Sequence, residues 1–135
     1  MGYLMKRKRK MTLRERQALF LISDAKLVLY AENVLKKRIV CIDWIRTKEQ
    51  QKVMVLRKAS KTMKSKHIDG LAKDYAFVDD LLDDGKLNYD SNEYKALGEF
   101  WESLGPDHEW GGRWGDNPNT QNIEGWDAGH FQYNG

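Results

Sequence analysis

Between Gly70 and Asp79 the chain reads Leu-Ala-Lys-Asp-Tyr-Ala-Phe-Val, and this octet constrains the fold more than any other stretch. Its β-branched and aromatic content and its turn-forming neighbours predict a strand over Leu71 to Val78. In a strand, alternate side chains point to opposite faces. Leu71, Tyr75 and Phe77 then share one face with Lys73, and apart from the lysine that face reads as core. The other face holds Ala72, Asp74 and Ala76. Aspartate is depleted in strands, and here small neighbours leave room beside its carboxylate. A strand with a core face and a roomy acidic face needs other elements of the chain to complete its surroundings.

The remaining elements supply them. Thr12 and Glu15 have the spacing of a capping box, and the apolar pattern that follows predicts a helix to about Val34. Ile39 to Ile42 is a β-branched run and a strand candidate. Thr47 is placed to cap a helix over about 48–58, with Val53, Val55 and Leu56 on its core side. Residues 60–66 read as a basic loop, and Asp79 to Asp90, with five Asp in twelve residues, as an acidic loop or hairpin. That acidic segment lacks the spacing of an EF-hand, so a Ca²⁺-binding role is only an alternative to a solvated hairpin. Asn92 is placed to cap a helix over 93–104, ended by Gly105-Pro106. Asp107 to Gly125 shows no period and reads as a long irregular loop, and His130 to Tyr133 as a last strand. Helices interspersed with short strands predict an α+β fold. A chain of 135 residues is expected to form a single domain over 1–135, with residues 1–10 a mobile basic lead-in.

Composition narrows the function classes. Net charge is +3, with much of it in Lys6 to Lys10, a bias that suits any anionic surface and selects none. The basic run reads first as a solvated tail. One cysteine, Cys41, rules out an intramolecular disulfide. The most apolar stretch, Ala18 to Val34, is broken by Asp24, Lys26 and Glu32, so neither a membrane span nor a secretory h-region is expected. No Gly-rich phosphate loop precedes a helix, and no Gly-x-Ser-x-Gly elbow supports a serine triad.

The chemistry-bearing residues are few. His67 stands before the Gly70 turn, which can fold its ring over the face that carries Asp74. An imidazole and a carboxylate meeting there are two parts of a metal site. A third ligand must come from elsewhere. His130 is the best candidate and His108, next to Glu109, its competitor. Asp127, three residues before His130 in a Gly-containing turn, is placed to hold a water bound to the metal. A His-x6-Asp pair alone also arises by chance, and the denser zinc signatures are absent.

Ser65-x-His67-x-x-Gly70-x-Ala72-x-Asp74 resembles the Ser-x-His-x-x-Gly-x-Ala-x-Asp signature of the M15 zinc peptidases, with every fixed position present. That family comprises D-alanyl-D-alanine carboxypeptidases and dipeptidases and phage L-alanyl-D-glutamate endopeptidases. Glu109-Trp110-Gly111-Gly112-x-Trp114, followed by Asp127-x-x-His130-Phe131, resembles the phage endolysin branch. Arg46-Thr47-x-x-x-Gln51 is similar to an Arg-Ser/Thr-x-x-x-Gln element of the same branch, although Trp44-Ile45 stands where Gly-Tyr often precedes it.

The resemblance implies a Hedgehog/DD-peptidase-like fold, a small antiparallel sheet with helices packed on it. It implies Zn²⁺ on His67, Asp74 and His130, Asp127 as catalytic base, and Arg46 on the scissile carbonyl. His108 then falls to a loop or substrate contact. The implied activity is hydrolysis of the L-Ala-D-Glu bond of peptidoglycan stem peptides by a monomeric phage lysin. Such a lysin would stay in the host cytoplasm until lysis, with no nucleic-acid partner, no stable membrane insertion and no room for a separate wall-binding module. Trp110, Trp114 and Trp126 are expected either to line a substrate groove or to fill core. The alternatives are a D,D-carboxypeptidase or dipeptidase of the same superfamily and, in a different class, a non-catalytic nucleic-acid binder using the basic arm and residues 58–66.

Overall fold

The structure, a computed structural model, describes residues 9–57, 64–83, 92–114 and 127–135. The basic run before Arg9, the end of the acidic segment and Trp126 lie outside the described residues. Helix α1 (Leu13–Tyr30) opens on the expected capping box, in which Thr12 and Glu15 satisfy each other's backbone N–H groups. It continues into a π-helical turn, Ala31–Leu35, which ends at Lys36 in the left-handed region (φ 57°). Strand β1 (Ile39–Asp43) follows, then helix α2 (Lys48–Leu56), capped reciprocally by Thr47 and Gln50. Strand β2 (Ala72–Phe77) runs directly into a short helix α3 (Val78–Asp83), and α4 (Asn92–Ser103), β3 (His108–Trp110) and β4 (His130–Tyr133) complete the order. No helix among the described residues is long and apolar enough to cross a membrane.

The strands form one antiparallel sheet in the order β1-β2-β4-β3. The pairing sets two opposed faces. Tyr75 and Phe77 of β2 and Phe131 and Tyr133 of β4 pack with Leu71, Trp110, and Phe20, Leu27, Tyr94, Leu97 and Trp101 of the covering helices. Edge-to-face contacts carry this layer, with Trp101 5.8 Å from Phe20 and 5.9 Å from Phe131 between ring centroids. Asp74 and His130 stand opposite each other, as do Ala72 and Gln132, and Glu109 and Gln132. These residues share the second face.

Three expectations need correction. Val53 and Leu56 are exposed, and the buried residue of α2 is Gln51, because that helix turns its polar side to the site rather than an apolar side to the core. The acidic segment starts as helix α3, which follows β2 without a break. The region after Asp107 contains β3, a strand of three residues whose pairing partners lie more than twenty positions away, so that it leaves no local period. Lys73, the exception on the face read as core, has a partner there: its Nζ lies 2.6 Å from the buried Asp24 carboxylate of α1 and 4.5 Å from the Trp44 ring centroid.

The Tyr75 hydroxyl also donates to Asp24. Burial, reinforced by the neighbouring Asp24, pushes the phenol far above its ordinary pKa, so it remains a donor. One carboxylate on α1 thus ties two residues of the central strand to the helix layer. Tyr75→Phe should cost about 1–3 kcal/mol in urea unfolding by leaving a buried carboxylate oxygen without its hydrogen bond. Gly98 on α4 lies under the Trp110 ring, where an added Cβ would come within 2.0 Å of a ring carbon. Gly98→Ala should therefore lower the unfolding midpoint by about 1–3 kcal/mol equivalent, against the gain of up to about 1 kcal/mol that the same change gives in an open helix.

Candidate metal centre

The turn before β2 positions His67. The Ser65 hydroxyl accepts the His67 backbone N–H at 3.2 Å, and the His67 carbonyl accepts from Gly70 N–H at 3.2 Å and Arg46 N–H at 3.0 Å. Gly70 takes φ 68°, a conformation that L side chains rarely adopt. This geometry explains the spacing of Ser65, His67 and Gly70. The His67 ring is buried, and its Nδ1 lies 2.6 Å from the Trp44 carbonyl oxygen. A carbonyl can only accept, so Nδ1 carries a hydrogen and Nε2 is the nitrogen that can offer a lone pair to an ion.

That lone pair meets the other two residues. His67 Nε2 lies 3.2 Å from His130 Nδ1 and 3.3 Å from Asp74 Oδ2, and His130 Nδ1 lies 2.9 Å from Asp74 Oδ1. The cross-strand pair Asp74–His130 fixes two of the three, and the folded-back turn delivers the third. One donor atom from each lies within 4.8 Å of the others. Two imidazole nitrogens and a carboxylate at such separations fit a zinc-type divalent ion, with ligands of the kind a catalytic site uses.

The electrostatics agree with a cation-seeking pocket. Burial alone would raise the Asp74 carboxyl, but hydrogen bonds with His130 and His67, backed by their charges, hold it well below the usual carboxylate range. Burial disfavours the charged form of His130, yet the hydrogen bond and charge of Asp74 raise its pKa overall.

Asp127 sits beside this trio. Its Oδ2 is 3.7 Å from His130 Nδ1, and its carbonyl accepts the His130 backbone N–H at 3.0 Å. Burial first, then the negative charge of Asp74, lifts the Asp127 carboxyl to about 6. Gly111 packs on this turn so closely that a Cβ would lie 2.3 Å from the Asp127 carbonyl oxygen and 2.9 Å from His130 Cβ. The glycine after Trp110 is thus required by the turn that carries Asp127 and His130.

Arg46 is buried at the edge of the site. Its Nε and Nη2 lie 2.8 and 2.6 Å from Asp43 Oδ2, its Nη1 donates to Gln51 Oε1 at 2.8 Å, and Nη2 is 3.5 Å from Asp74 Oδ2. Asp43 escaped the sequence reading. It reaches the site because the β1–β2 register shifts between Cys41 and Asp43, setting Asp43 opposite Asp74. The only signal was an acid three residues before Arg46.

His108 stands elsewhere. In β3 it takes the same face as Tyr133, packs edge-on against Trp101 at 4.8 Å, and meets the Ser23 hydroxyl at 2.8 Å. Neither a loop nor a substrate contact, it belongs to the helix-covered side. The tryptophans divide: Trp110 is fully buried in the core, whereas Trp114 lies against the His130 ring at 4.8 Å.

A family model described as D-alanyl-D-alanine carboxypeptidase, of the M15 peptidases, matches residues 58–133. A curated L-alanyl-D-glutamate peptidase of Listeria phage A118 is 37% identical over 97 residues, covering 69% of this chain and 34% of that protein. The match thus spans about a third of that relative's length. Among solved structures, the Serratia marcescens L-Ala D-Glu endopeptidase ChiX superposes with a TM-score of 0.55 at 21% identity, over 98% of this chain and 93% of that one. The vancomycin-resistance D,D-pentapeptidase VanY from a VanB-type cassette, in complex with Zn(II), superposes with a TM-score of 0.51 at 19% identity, over 89% and 71%. At these identities the two structures speak for the shared fold.

Asp43→Ala removes the carboxylate closest to a buried guanidinium. It should cost about 1.5–3 kcal/mol in denaturant unfolding, with Asp43→Asn, which keeps an acceptor, falling between it and the unsubstituted chain.

Proposed function

This chain belongs to the M15 peptidase family, and from that premise we propose that it is a zinc metallopeptidase that cuts the L-Ala-D-Glu bond of peptidoglycan stem peptides. The observation that carries the reading is the convergence of His67, Asp74 and His130, with Asp127 at 3.7 Å from His130 and outside the trio. His67 through Nε2, Asp74 and His130 hold the ion. A zinc ion there would supply Lewis acidity and make an attacking water more acidic. The substrate class follows the activity for which the phage relative is named.

The chain's own residues do the rest. Asp127 takes the proton of the attacking water as the carbon–oxygen bond forms and gives it to the amine as the carbon–nitrogen bond breaks. Its place within the pocket but off the donor trio suits that role. Arg46 supplies fixed positive charge near the oxygen that becomes anionic. Asp43 and Gln51 keep its guanidinium from wandering. Trp114, against His130, forms one wall beside the site. In this reading the protein acts as a monomer on the bacterial cell wall, reaching it from the host cytoplasm at lysis.

A second reading, D,D-carboxypeptidase activity, is favoured by the description of the matching family model. Mass spectrometry of digested sacculi separates the two: a new amino-terminal D-Glu supports the endopeptidase, and released D-Ala the alternative. Purified protein should hold about one zinc per chain. Asp127→Ala should keep that zinc while losing at least about a hundredfold in rate. His67→Ala should lose both metal and activity. A metal-free chain that cleaves as fast as the zinc-loaded one would overturn the proposal.

A further inference from the structure

Glu109, Gln132 and Asn134 make a one-directional hydrogen-bond chain that ends on His130. We infer that they are positioning residues: Glu109, acting through Gln132, keeps the ring hydrogen of His130 on Nε2 and thereby turns the Nδ1 lone pair to the metal. The inference deepens the metal reading above and rests on it.

The direction of the chain follows from donor and acceptor chemistry. A carboxylate only accepts, and a neutral imidazole carries one N–H. Gln132 Nε2 has two hydrogens and faces two acceptors, Glu109 Oε2 at 2.8 Å and Asn134 Oδ1 at 2.9 Å. Asn134 is itself oriented by the same carboxylate, donating from Nδ2 to Glu109 Oε2 at 2.9 Å. Turning the Gln132 amide over would set its oxygen against two oxygens. Its Oε1 must therefore face His130 Nε2, at 2.8 Å. An amide oxygen also only accepts, so Nε2 bears the hydrogen. Nδ1, 2.9 Å from Asp74 and 3.2 Å from His67 Nε2, is then the nitrogen that gives up its hydrogen and turns a lone pair to the cluster when an ion is bound.

A second contact ties the ring plane to the same carboxylate. Glu109 Oε1 accepts the Trp114 indole N–H at 3.0 Å, and the Trp114 ring lies 4.8 Å from that of His130, tilted by 45°. Glu109 thus limits both where the hydrogen sits and how the imidazole tilts. The sheet register makes this possible, because Glu109 and Gln132 are a cross-strand pair on the site face. The two histidines present different nitrogens to the cluster, Nε2 of His67 and Nδ1 of His130. One orienting device cannot serve both, and His67 has its own in the Trp44 carbonyl. Such partners of a ligating imidazole set its basicity and orientation, and their loss typically weakens metal binding by about 10–100-fold.

The test reads tautomer and metal affinity rather than turnover. In zinc-loaded, ¹⁵N-labelled protein, ring ¹⁵N–¹H correlation spectra should show His130 bound through Nδ1 with hydrogen on Nε2, and His67 the reverse. Coordination of His130 through Nε2 overturns the inference without any variant. Glu109→Gln should weaken zinc binding, measured by competition with a chromogenic chelator, by about 10–100-fold. It should also give a mixture of His130 tautomers in the metal-free chain at a pH where the ring is neutral. The double variant Glu109→Gln/Gln132→Glu moves the carboxylate to position 132, where either oxygen accepts from His130 Nε2, and should recover most of the lost affinity. A merely structural role for Glu109 predicts no such rescue. Unchanged affinity in Glu109→Gln, or a folded double variant as weak as the single one, overturns the inference. An unsubstituted chain that takes up no zinc overturns the metal reading and the inference with it, which separates that failure from a wrong tautomer on bound zinc.

Discussion

Asp74 is the charge around which this molecule is arranged. A carboxylate on a central strand is costly to bury, and here it is answered by His67 at 3.3 Å, His130 at 2.9 Å and Arg46 at 3.5 Å. Each of those partners is in turn held from behind. The Trp44 carbonyl fixes His67, Gln132 faces His130, and Asp43 with Gln51 secures Arg46. The convergence is therefore over-determined: removing the acid would leave several cationic or potentially cationic groups crowded together.

The opposite face of the same strand solves a different problem with similar means. Lys73 and Tyr75 meet Asp24, a second buried carboxylate, and so join the sheet to α1. Aromatic edge-to-face packing through Trp101, Phe131 and Trp110 fills the space around that junction. The sheet is then a divider with charge clusters on both sides, one binding helix to strand and one shaping the site.

Local patterns made much of this legible. The octet 71–78 announced its strand through alternation, and both threonine caps formed as their spacing requires. His67, Asp74, Asp127 and His130 were readable because turn chemistry and strand parity are local properties, and the structure brings all four into one pocket. Contacts set by distant pairing were not readable. The three-residue β3 has no period of its own, so the side on which His108 and Glu109 fall could not be assigned before its register with β4 was known. Asp43 enters through a register shift, which sequence spacing does not encode. Lys73 looked like an interruption of an apolar face because its acidic partner lies forty-nine positions away on another element. The apolar residues of α2 misled for a similar reason, since what the helix contributes inward is Gln51, the partner of Arg46.

Because β2 serves the site with one parity and the helix layer with the other, its length is far less free than its composition. Adding or deleting one residue within 72–77 would exchange the two faces, turning Tyr75 and Lys73 outward while driving Asp74 into the aromatic layer. Changes in chain length among relatives of this protein should accordingly gather in the loops between elements and spare this strand.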